Sequence, residues 1–155
     1  MKKIIKLLTG ISLILSMSLP VFASNINLED DPNDYSWETE NLEGSPSTER
    51  WSYIANTSQG MSIDNNGMAI MLGSLTGYRG TTNKVIIYMY LQKYYDGYWH
   101  NLTWTKDEFN NYYGTTERYK TGCTSGKYRL KVSYYAYGPN NKYENHVAYS
   151  ATYNY

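Results

Sequence analysis

The sequence predicts an all-β domain, an antiparallel sandwich of seven to eight strands. From Arg50 onward, short apolar alternation is interrupted by turn residues at intervals of about 8 to 15 positions, as in sandwiches and barrels. The chain contains 19 Tyr, a residue type enriched in strands. No segment of the domain has the 3.6-residue apolar period of a helix.

The first 23 residues have the order of a secretory signal peptide. Met1-Lys2-Lys3 opens the chain, residues 7–19 are largely apolar, and Val21-Phe22-Ala23 is a small-x-small cleavage site. The apolar run is shorter than the roughly 20 residues of a membrane-spanning helix, so an uncleaved anchor is the less favoured alternative. We expect cleavage before Ser24 and a soluble, secreted bacterial protein without stable membrane insertion.

Residues 24–49 are predicted to be an acidic, largely disordered leader, because they hold too few apolar groups to offset ordering entropy. Tyr35 and Trp37 are the residues in it that could dock on the domain. The leader contains eight acidic residues and no basic one, whereas residues 50–155 contain 11 basic and 6 acidic residues. The sequence therefore predicts an acidic leader joined to a mildly basic domain.

The first strands of the domain are predicted from alternation on either side of one turn. Trp51, Tyr53 and Ala55 alternate with polar residues, so we expect them to share a face. Alternation resumes before Asn66-Gly67, a pair that favours the positive φ angles of a tight hairpin turn. A returning strand is predicted over residues 68–75.

The segment Lys84–Tyr95 has the most regular strand pattern. Its period of two places an aliphatic set in the core and a largely tyrosine set on the other face. Asp96-Gly97 predicts a second hairpin turn, leading into a strand over residues 98–104. Residues 106–111 do not alternate and are predicted to form a loop or one helical turn. The aliphatic set is Val85, Ile87, Met89 and Leu91.

Another alternating strand follows Gly126 and extends to Tyr137. Residues 138–141 (Gly-Pro-Asn-Asn) predict the turn that ends it. The final run alternates again, so we expect its apolar members to lie on one face. These members are Val147, Tyr149, Ala151 and Tyr153.

The segment Gly126-Lys127-Tyr128-Arg129-Leu130 resembles the tyrosine corner of immunoglobulin-like sandwiches, in which the phenol hydrogen-bonds to the backbone a few residues upstream. Leu130 stands where antibody domains have a cysteine. With the signal peptide, Leu91-Gln92-Lys93-Tyr94, Asp96-Gly97-Tyr98-Trp99 and Glu144, residues 51–150 resemble a group of uncharacterised secreted all-β proteins of Gram-positive bacteria. The resemblance implies an immunoglobulin-like β-sandwich and no known activity.

Candidate catalytic residues are few. His100 and His146 are the side chains suited to general-base chemistry near neutral pH, but they lie on separate predicted strands. Cys123 is alone, which excludes an intrachain disulfide, and it lies in a predicted turn. A small cell-wall-active enzyme that uses Cys123 or a carboxylate pair is the alternative, although the histidine and arginine that accompany such a cysteine in transpeptidases are missing. We expect no catalytic residue.

We expect no cofactor and no metal site. The run Asp30-Asp31-Pro32-Asn33-Asp34 has the oxygen ligands that calcium prefers, but it lacks the glycine and the bidentate glutamate of the helical calcium loop. Asp107-Glu108 are adjacent, and the spacing selects no carboxylate pair for glycoside hydrolysis. A nucleic-acid partner is not expected, because the chain after cleavage is acidic overall.

The aromatic residues carry the functional prediction. In an immunoglobulin-like topology, strands 84–95 and 127–137 would be neighbours, and their non-core faces would form one surface. Tyrosine rings stack on sugars and basic groups complement anions, so we expect a non-enzymatic binding protein for a cell-surface glycan or protein. A bacteriocin-like toxin and plain half-exposed β surface remain alternatives. The predicted ligand-binding residues are Tyr88, Tyr90, Tyr94, Arg129, Lys131, Tyr135 and Tyr137.

Overall fold

A computed structural model describes residues 37–39 and 51–155. The predicted signal peptide and the rest of the predicted leader lie outside the described residues. A 3-10 turn covers Pro139–Asn141. The strands are β1 (Trp37–Thr39), β2 (Ile54–Ile63), β3 (Ala69–Gly77), β4 (Lys84–Tyr95), β5 (Tyr98–Phe109), β6 (Tyr113–Lys120), β7 (Lys127–Tyr137), β8 (Tyr143–Tyr149) and β9 (Tyr153–Asn154).

The strands form two antiparallel sheets. One has the order β1-β5-β4-β7-β8, with β9 paired to the start of β7, and the other has the order β2-β3-β6. The predicted all-β sandwich is therefore confirmed, with eight strands in residues 51–155. The finer prediction of an immunoglobulin-like topology stays a prediction. No helix of the described residues is long and apolar enough to cross a membrane.

The core lies between the two sheets, where the alternation of β4 and β7 predicts it. Val85, Ile87 and Leu91 of β4 are fully buried there against the inner residues of β3 and β7. Burial of each such side chain contributes about 1.5 to 3 kcal/mol relative to exposure. Tyr134 also joins the sheets directly, because its hydroxyl donates to the Ser58 carbonyl of β2 at 2.7 Å.

The predicted tyrosine-corner hydrogen bond is present at the start of β7. The Tyr128 hydroxyl donates to the Thr124 carbonyl at 2.5 Å and accepts from the Thr124 backbone N–H at 3.1 Å. Tyr128 is 1% exposed. Its ring is therefore part of the core, while its hydroxyl fixes the loop that leads into β7.

The two predicted hairpin turns differ in type. Asp96 and Gly97 have φ angles of 53° and 84°, as the predicted turn requires. In the first hairpin only Gly67 has a positive φ, 73°, so the expectation for Asn66 was wrong. The Asp64 carboxylate accepts from the backbone N–H groups of Asn66 and Met68, both at 2.9 Å, and this longer loop replaces a two-residue turn.

Two predictions at the strand ends were wrong. A register shift between Ile54 and Asn56 leaves Ala55 exposed. Tyr53 packs against the core, so the two residues do not lie on the same face. The final run divides at Ser150, whose hydroxyl accepts from the Leu130 N–H at 2.9 Å. Because of that break, Val147 and Tyr149 pair on the outside of β7, whereas Tyr153 packs against the core.

Residues 106–109 of the segment predicted as a loop or helical turn continue β5, whereas residues 110–111 lie in the loop before β6. Lys106, Asp107 and Glu108 pair with residues of β4 in unbroken register up to Phe109. The long partner strand supplies the ladder hydrogen bonds, so these residues need no alternation of their own. On the inner side, Asp107 accepts from the Thr116 hydroxyl at 2.6 Å and pairs with Arg118, which ties β5 to β6.

Candidate functional site

The predicted binding residues lie together on one face of the larger sheet. Strands β4 and β7 are antiparallel neighbours, as predicted, with Tyr90 opposite Lys131 and Gln92 opposite Arg129. We call the side of the β5-β4-β7-β8 strands turned away from the three-stranded sheet the outer face. All seven predicted residues occupy alternate positions of β4 and β7 on this face.

Most of these residues are buried, although the sequence indicated a surface open to solvent. The exposed fractions are 1% for Tyr90 and Lys131, 4% for Tyr135, and 5% for Tyr88 and Arg129. Tyr94 and Tyr137 are half-buried. A ligand at this face would therefore contact these tyrosines mainly at the ring edges that remain exposed to solvent.

Trp104 of β5 provides the exposed aromatic surface above the tyrosines. Its ring stacks on Tyr88 and on Tyr90, with centroid distances of 6.5 Å in both cases, and the side chain is 37% exposed. Tyr88 in turn contacts Tyr135 edge-on at 5.8 Å. Tyr88, Tyr90, Tyr135 and Ile86 form a hydrophobic cluster separate from the main core, and Tyr137 packs against it.

Trp104 was not among the predicted binding residues, which came from strands 84–95 and 127–137 alone. Counting outward from the Asp96-Gly97 turn places Thr103 opposite Tyr90. The register shifts by one residue beyond the Gln92 pair, so Trp104 takes that position. A bulge has no reliable sequence signal. The sequence did show a tryptophan on the strand that follows the two-residue turn, and this was a usable signal that Trp104 lies near the tyrosines of strand 84–95.

Basic side chains are interleaved with the rings of the outer face. Five of them contact an aromatic ring by cation–π geometry, which contributes about 0.5 to 2 kcal/mol each, depending on desolvation. Among the described outer-face residues of β4, β5, β7 and β8, Glu108 is the single carboxylate, and it pairs with Lys84 at 3.5 Å. The contacts are Lys84 on Tyr137 at 4.4 Å, Lys106 on Tyr88 at 5.6 Å, Lys127 on Tyr94 at 5.0 Å, Lys131 on Tyr90 at 5.5 Å, and Arg129 on Trp99 and Tyr149 at 4.4 and 4.2 Å.

A polar chain fixes the position of Arg129. Its Nε donates to Gln92 Oε1 at 2.7 Å, and Gln92 Nε2 donates to Asn101 Oδ1 at 2.8 Å. Two further buried polar atoms on this face, Trp99 Nε1 and Ser133 Oγ, have no hydrogen-bond partner in the part of the chain described. Because buried polar atoms are nearly always satisfied, these two atoms indicate capacity for an additional polar group.

The candidate catalytic residues take part in packing and in structural hydrogen bonds. Cys123 hydrogen-bonds through its backbone to Gly67 at 2.9 Å and packs against the core, and within residues 51–155 no hydrogen bond joins it to a histidine. His100 stacks on Tyr95 with ring centroids 3.7 Å apart. Burial lowers the pKa of His146, whose ring lies 4.8 Å from Trp51.

Glu144 has a structural role at the start of β2. Its two carboxylate oxygens accept from the backbone N–H groups of Ser52 at 2.7 Å, Tyr53 at 2.8 Å and Ile54 at 3.3 Å. Burial raises the pKa of Glu144, but these donors outweigh burial, and the pKa is lower than its ordinary value. Glu144 of β8 therefore links the larger sheet to the start of β2 in the three-stranded sheet.

Residues 51–155 bring together no cluster of three histidine, cysteine or acidic side chains that could hold a metal ion. The acidic run Asp30–Asp34 lies outside the described residues. The three-stranded sheet has a shallow depression of about 350 Å³ lined by Ser58, Gly60, Leu72 and Ser74 among others. Its lining is uncharged, so it offers less for recognition than the outer face does.

No family model and no curated protein matches this chain. Among solved structures, the chain is similar to the crystal structure of wild-type OgpA from Akkermansia muciniphila, at 11% identity and a TM-score of 0.33. The match covers 71% of this chain and 31% of that one, so this chain spans less than a third of that protein's length. A likeness of this size carries no argument about function.

Proposed function

We propose that this protein is a secreted, non-enzymatic bacterial binding protein that contacts an acidic cell-surface glycan through the rim of its outer face. The rim is the solvent-exposed part of that face around Trp104. The observation that carries the proposal is the exposed ring of Trp104 above Tyr88 and Tyr90, with the partly exposed Lys106 over the ring of Tyr88. An aromatic platform with an adjacent cation matches the two chemical features of an acidic sugar, its apolar ring face and its carboxylate or sulfate.

The rigidity of the platform also supports binding. Tyr88 and Tyr90 are held by packing within the buried cluster, and Arg129 is held by Gln92. A surface whose side chains are already ordered loses little conformational entropy when a ligand binds. Tyrosine and tryptophan add large contact areas with only two side-chain torsions each.

We also propose that the sandwich is immunoglobulin-like. Support comes from the two sheet orders, β2-β3-β6 and β5-β4-β7-β8, in which β4, β7 and β8 correspond to strands C, F and G of that fold. The hydrogen bonds of Tyr128 to Thr124 at the start of β7 are a second support.

Retention on cells tests the proposed function. Residues 24–155 would be incubated with isolated bacterial cell walls, and bound protein would be measured for wild type, Trp104→Ala and Tyr119→Ala. Tyr119 is a matched control, since it is 58% exposed on the other sheet. We expect Trp104→Ala to reduce retention about tenfold, the effect of losing one aromatic anchor, and Tyr119→Ala to retain wild-type binding.

Treatment of the cell walls separates the classes of partner. Periodate oxidation of the sugars should abolish retention, and protease digestion should leave it intact; the reverse pattern would identify a protein partner. Release of wall fragments that stops with Cys123→Ala would establish the enzyme alternative instead. Equal retention of Trp104→Ala and wild type would remove the outer face from consideration.

A further inference from the structure

The free edge of β8 presents backbone groups that the described domain does not use. The ladder bonds of an antiparallel strand fall on alternate residues. Ser150, which follows β8, donates its N–H to the Leu130 carbonyl at 2.9 Å in the register of the β7–β8 ladder, so the even-numbered residues of β8 bond to β7. The backbone groups of the odd-numbered residues point away from β7, and within residues 51–155 no hydrogen bond is made to the N–H and C=O groups of three of them. These three are Tyr143, Asn145 and Val147.

The other described sheet edges are less suited to accept a further strand. The larger sheet ends on its far side in β1, which is three residues long. At the edge of β2, the Ile63 carbonyl accepts from the Tyr153 hydroxyl at 3.0 Å. β6 has three charged residues among eight, a composition that opposes pairing with another chain. In contrast, the side chains of the three free residues of β8 are uncharged, and Tyr143 is 53% exposed.

The sequence of β8 is complementary to itself in antiparallel pairing. When Asn145 lies opposite its own copy, Tyr143 lies opposite Val147 in both halves, so the free residues of each strand bond to those of the other. An aromatic side chain opposite a β-branched one is a favourable cross-strand pair. The two Asn145 amides can exchange hydrogen bonds, because each has both donors and an acceptor. Glu144 lies opposite His146 in the same register.

Neighbouring registers of β8 on itself are less favourable. Sliding one strand by two residues in one direction places Glu144 opposite Glu144, which opposes like charges. Sliding it in the other direction places Tyr143 opposite Tyr149, whose carbonyl already accepts from Gln59 Nε2 at 3.1 Å. The register centred on Asn145 is therefore the one that β8 favours.

We propose that β8 pairs with β8 of a second copy of this protein, antiparallel and about a two-fold axis through Asn145, to form a homodimer with one continuous sheet. The axis is perpendicular to the sheet, so both outer faces lie on the same side. The order β5-β4-β7-β8-β8-β7-β4-β5 separates the two Trp104 rims by about 34 Å, or seven strand spacings. If the proposed glycan function is correct, the dimer holds one polysaccharide at two points. The pairing itself does not depend on that function.

Charge exchange at the two-fold axis tests the dimer without any glycan. Asn145 is exposed, so Asn145→Lys and Asn145→Asp should each leave the fold intact while placing like charges opposite each other in the dimer. Sedimentation velocity of residues 24–155 would be measured for each variant alone and for an equimolar mixture of the two. Matched controls are Thr115→Lys and Thr115→Asp, which change an exposed residue of β6, the edge strand of the other sheet.

We expect wild type to dimerise with a Kd of about 100 µM, because an edge of seven residues is small beside a standard interface. Each Asn145 variant alone should bind itself about tenfold more weakly, since like charges then face each other. The mixture should form a heterodimer with about wild-type affinity, because the two new charges are opposite in sign. Both Thr115 variants should dimerise as wild type does.

Several results would overturn the β8 pairing. Wild type that stays monomeric at about 1 mM, ten times the expected Kd, would do so. Asn145 variants that dimerise as well as wild type, a mixture no stronger than its components, or Thr115 variants that weaken the dimer equally would place the contact elsewhere. Trp104→Ala should dimerise as wild type does, so the retention assay on cell walls remains a separate test of the proposed function.

Discussion

Removal of one hydroxyl at Tyr128 gives the sharpest test of how the fold is held together. In Tyr128→Phe the ring remains in the core, while both hydrogen bonds to Thr124 are lost. A net contribution of about 0.5 to 1.5 kcal/mol for each bond predicts a loss of about 1 to 3 kcal/mol. Thr124 is exposed, so water satisfies part of its backbone and the loss should lie near the lower value.

Urea unfolding followed by tyrosine and tryptophan fluorescence measures this loss. A decrease of about 1.5 kcal/mol should lower the midpoint with no change in the slope, and should reduce Tm by about 6 to 9 °C. Tyr119→Phe is the matched control, since it removes a hydroxyl that bonds to Glu117 at 2.6 Å on the exposed surface. A change below about 0.5 kcal/mol for Tyr128→Phe, or an equal change for both variants, would show that the Tyr128 hydroxyl does not stabilise the fold through Thr124.

Three further predictions concern polar side chains that are buried or partly buried. Tyr134→Phe should cost about 1 kcal/mol in urea unfolding, because the bond that joins it to Ser58 across the sheets is lost. Glu144→Gln should cost about 1 to 3 kcal/mol at pH 7, because an amide has one acceptor oxygen for three N–H groups. The folded pKa of Glu144 is lowered, so its contribution is complete above the unfolded value of about 4.3 and is lost as pH falls through the folded pKa; unfolding between pH 5 and 3 should be less pH-dependent in the variant. Burial also lowers the pKa of His146, so wild-type stability should fall as pH drops below about 6.5, and His146→Gln should lose that slope; an unchanged slope between pH 7 and 5 would contradict the assignment.

The sequence predicted those features that depend on local periodicity or turn chemistry. The aliphatic set of β4 faces the core, Asp96-Gly97 forms the expected turn, and the Tyr128 hydroxyl bonds upstream as the resemblance implied. Each of these depends on a few adjacent residues, whose side-chain directions or φ angles are fixed by the residue type.

Features that depend on a partner strand were not predicted. Residues 113–120 form β6 without a clear pattern of their own, because β3 supplies the pairing. The extension of β5 and the bulge that moves Trp104 opposite Tyr90 likewise arise from pairing with β4. The pattern in β7 placed Arg129 and Lys131 on a non-core face correctly, but it could not indicate their burial, because burial depends on what lies over a face.

Chemical-shift mapping tests directly whether the rim of the outer face binds an acidic glycan. Residues 24–155 would be titrated with tetragalacturonate, a defined acidic oligosaccharide, while backbone and indole N–H signals are followed. We expect the largest shifts at the Trp104 indole and along β4, β5 and β7, and Trp104→Ala should abolish them. Shifts confined to the β2-β3-β6 sheet, or unchanged in the variant, would show that the glycan does not bind at this rim.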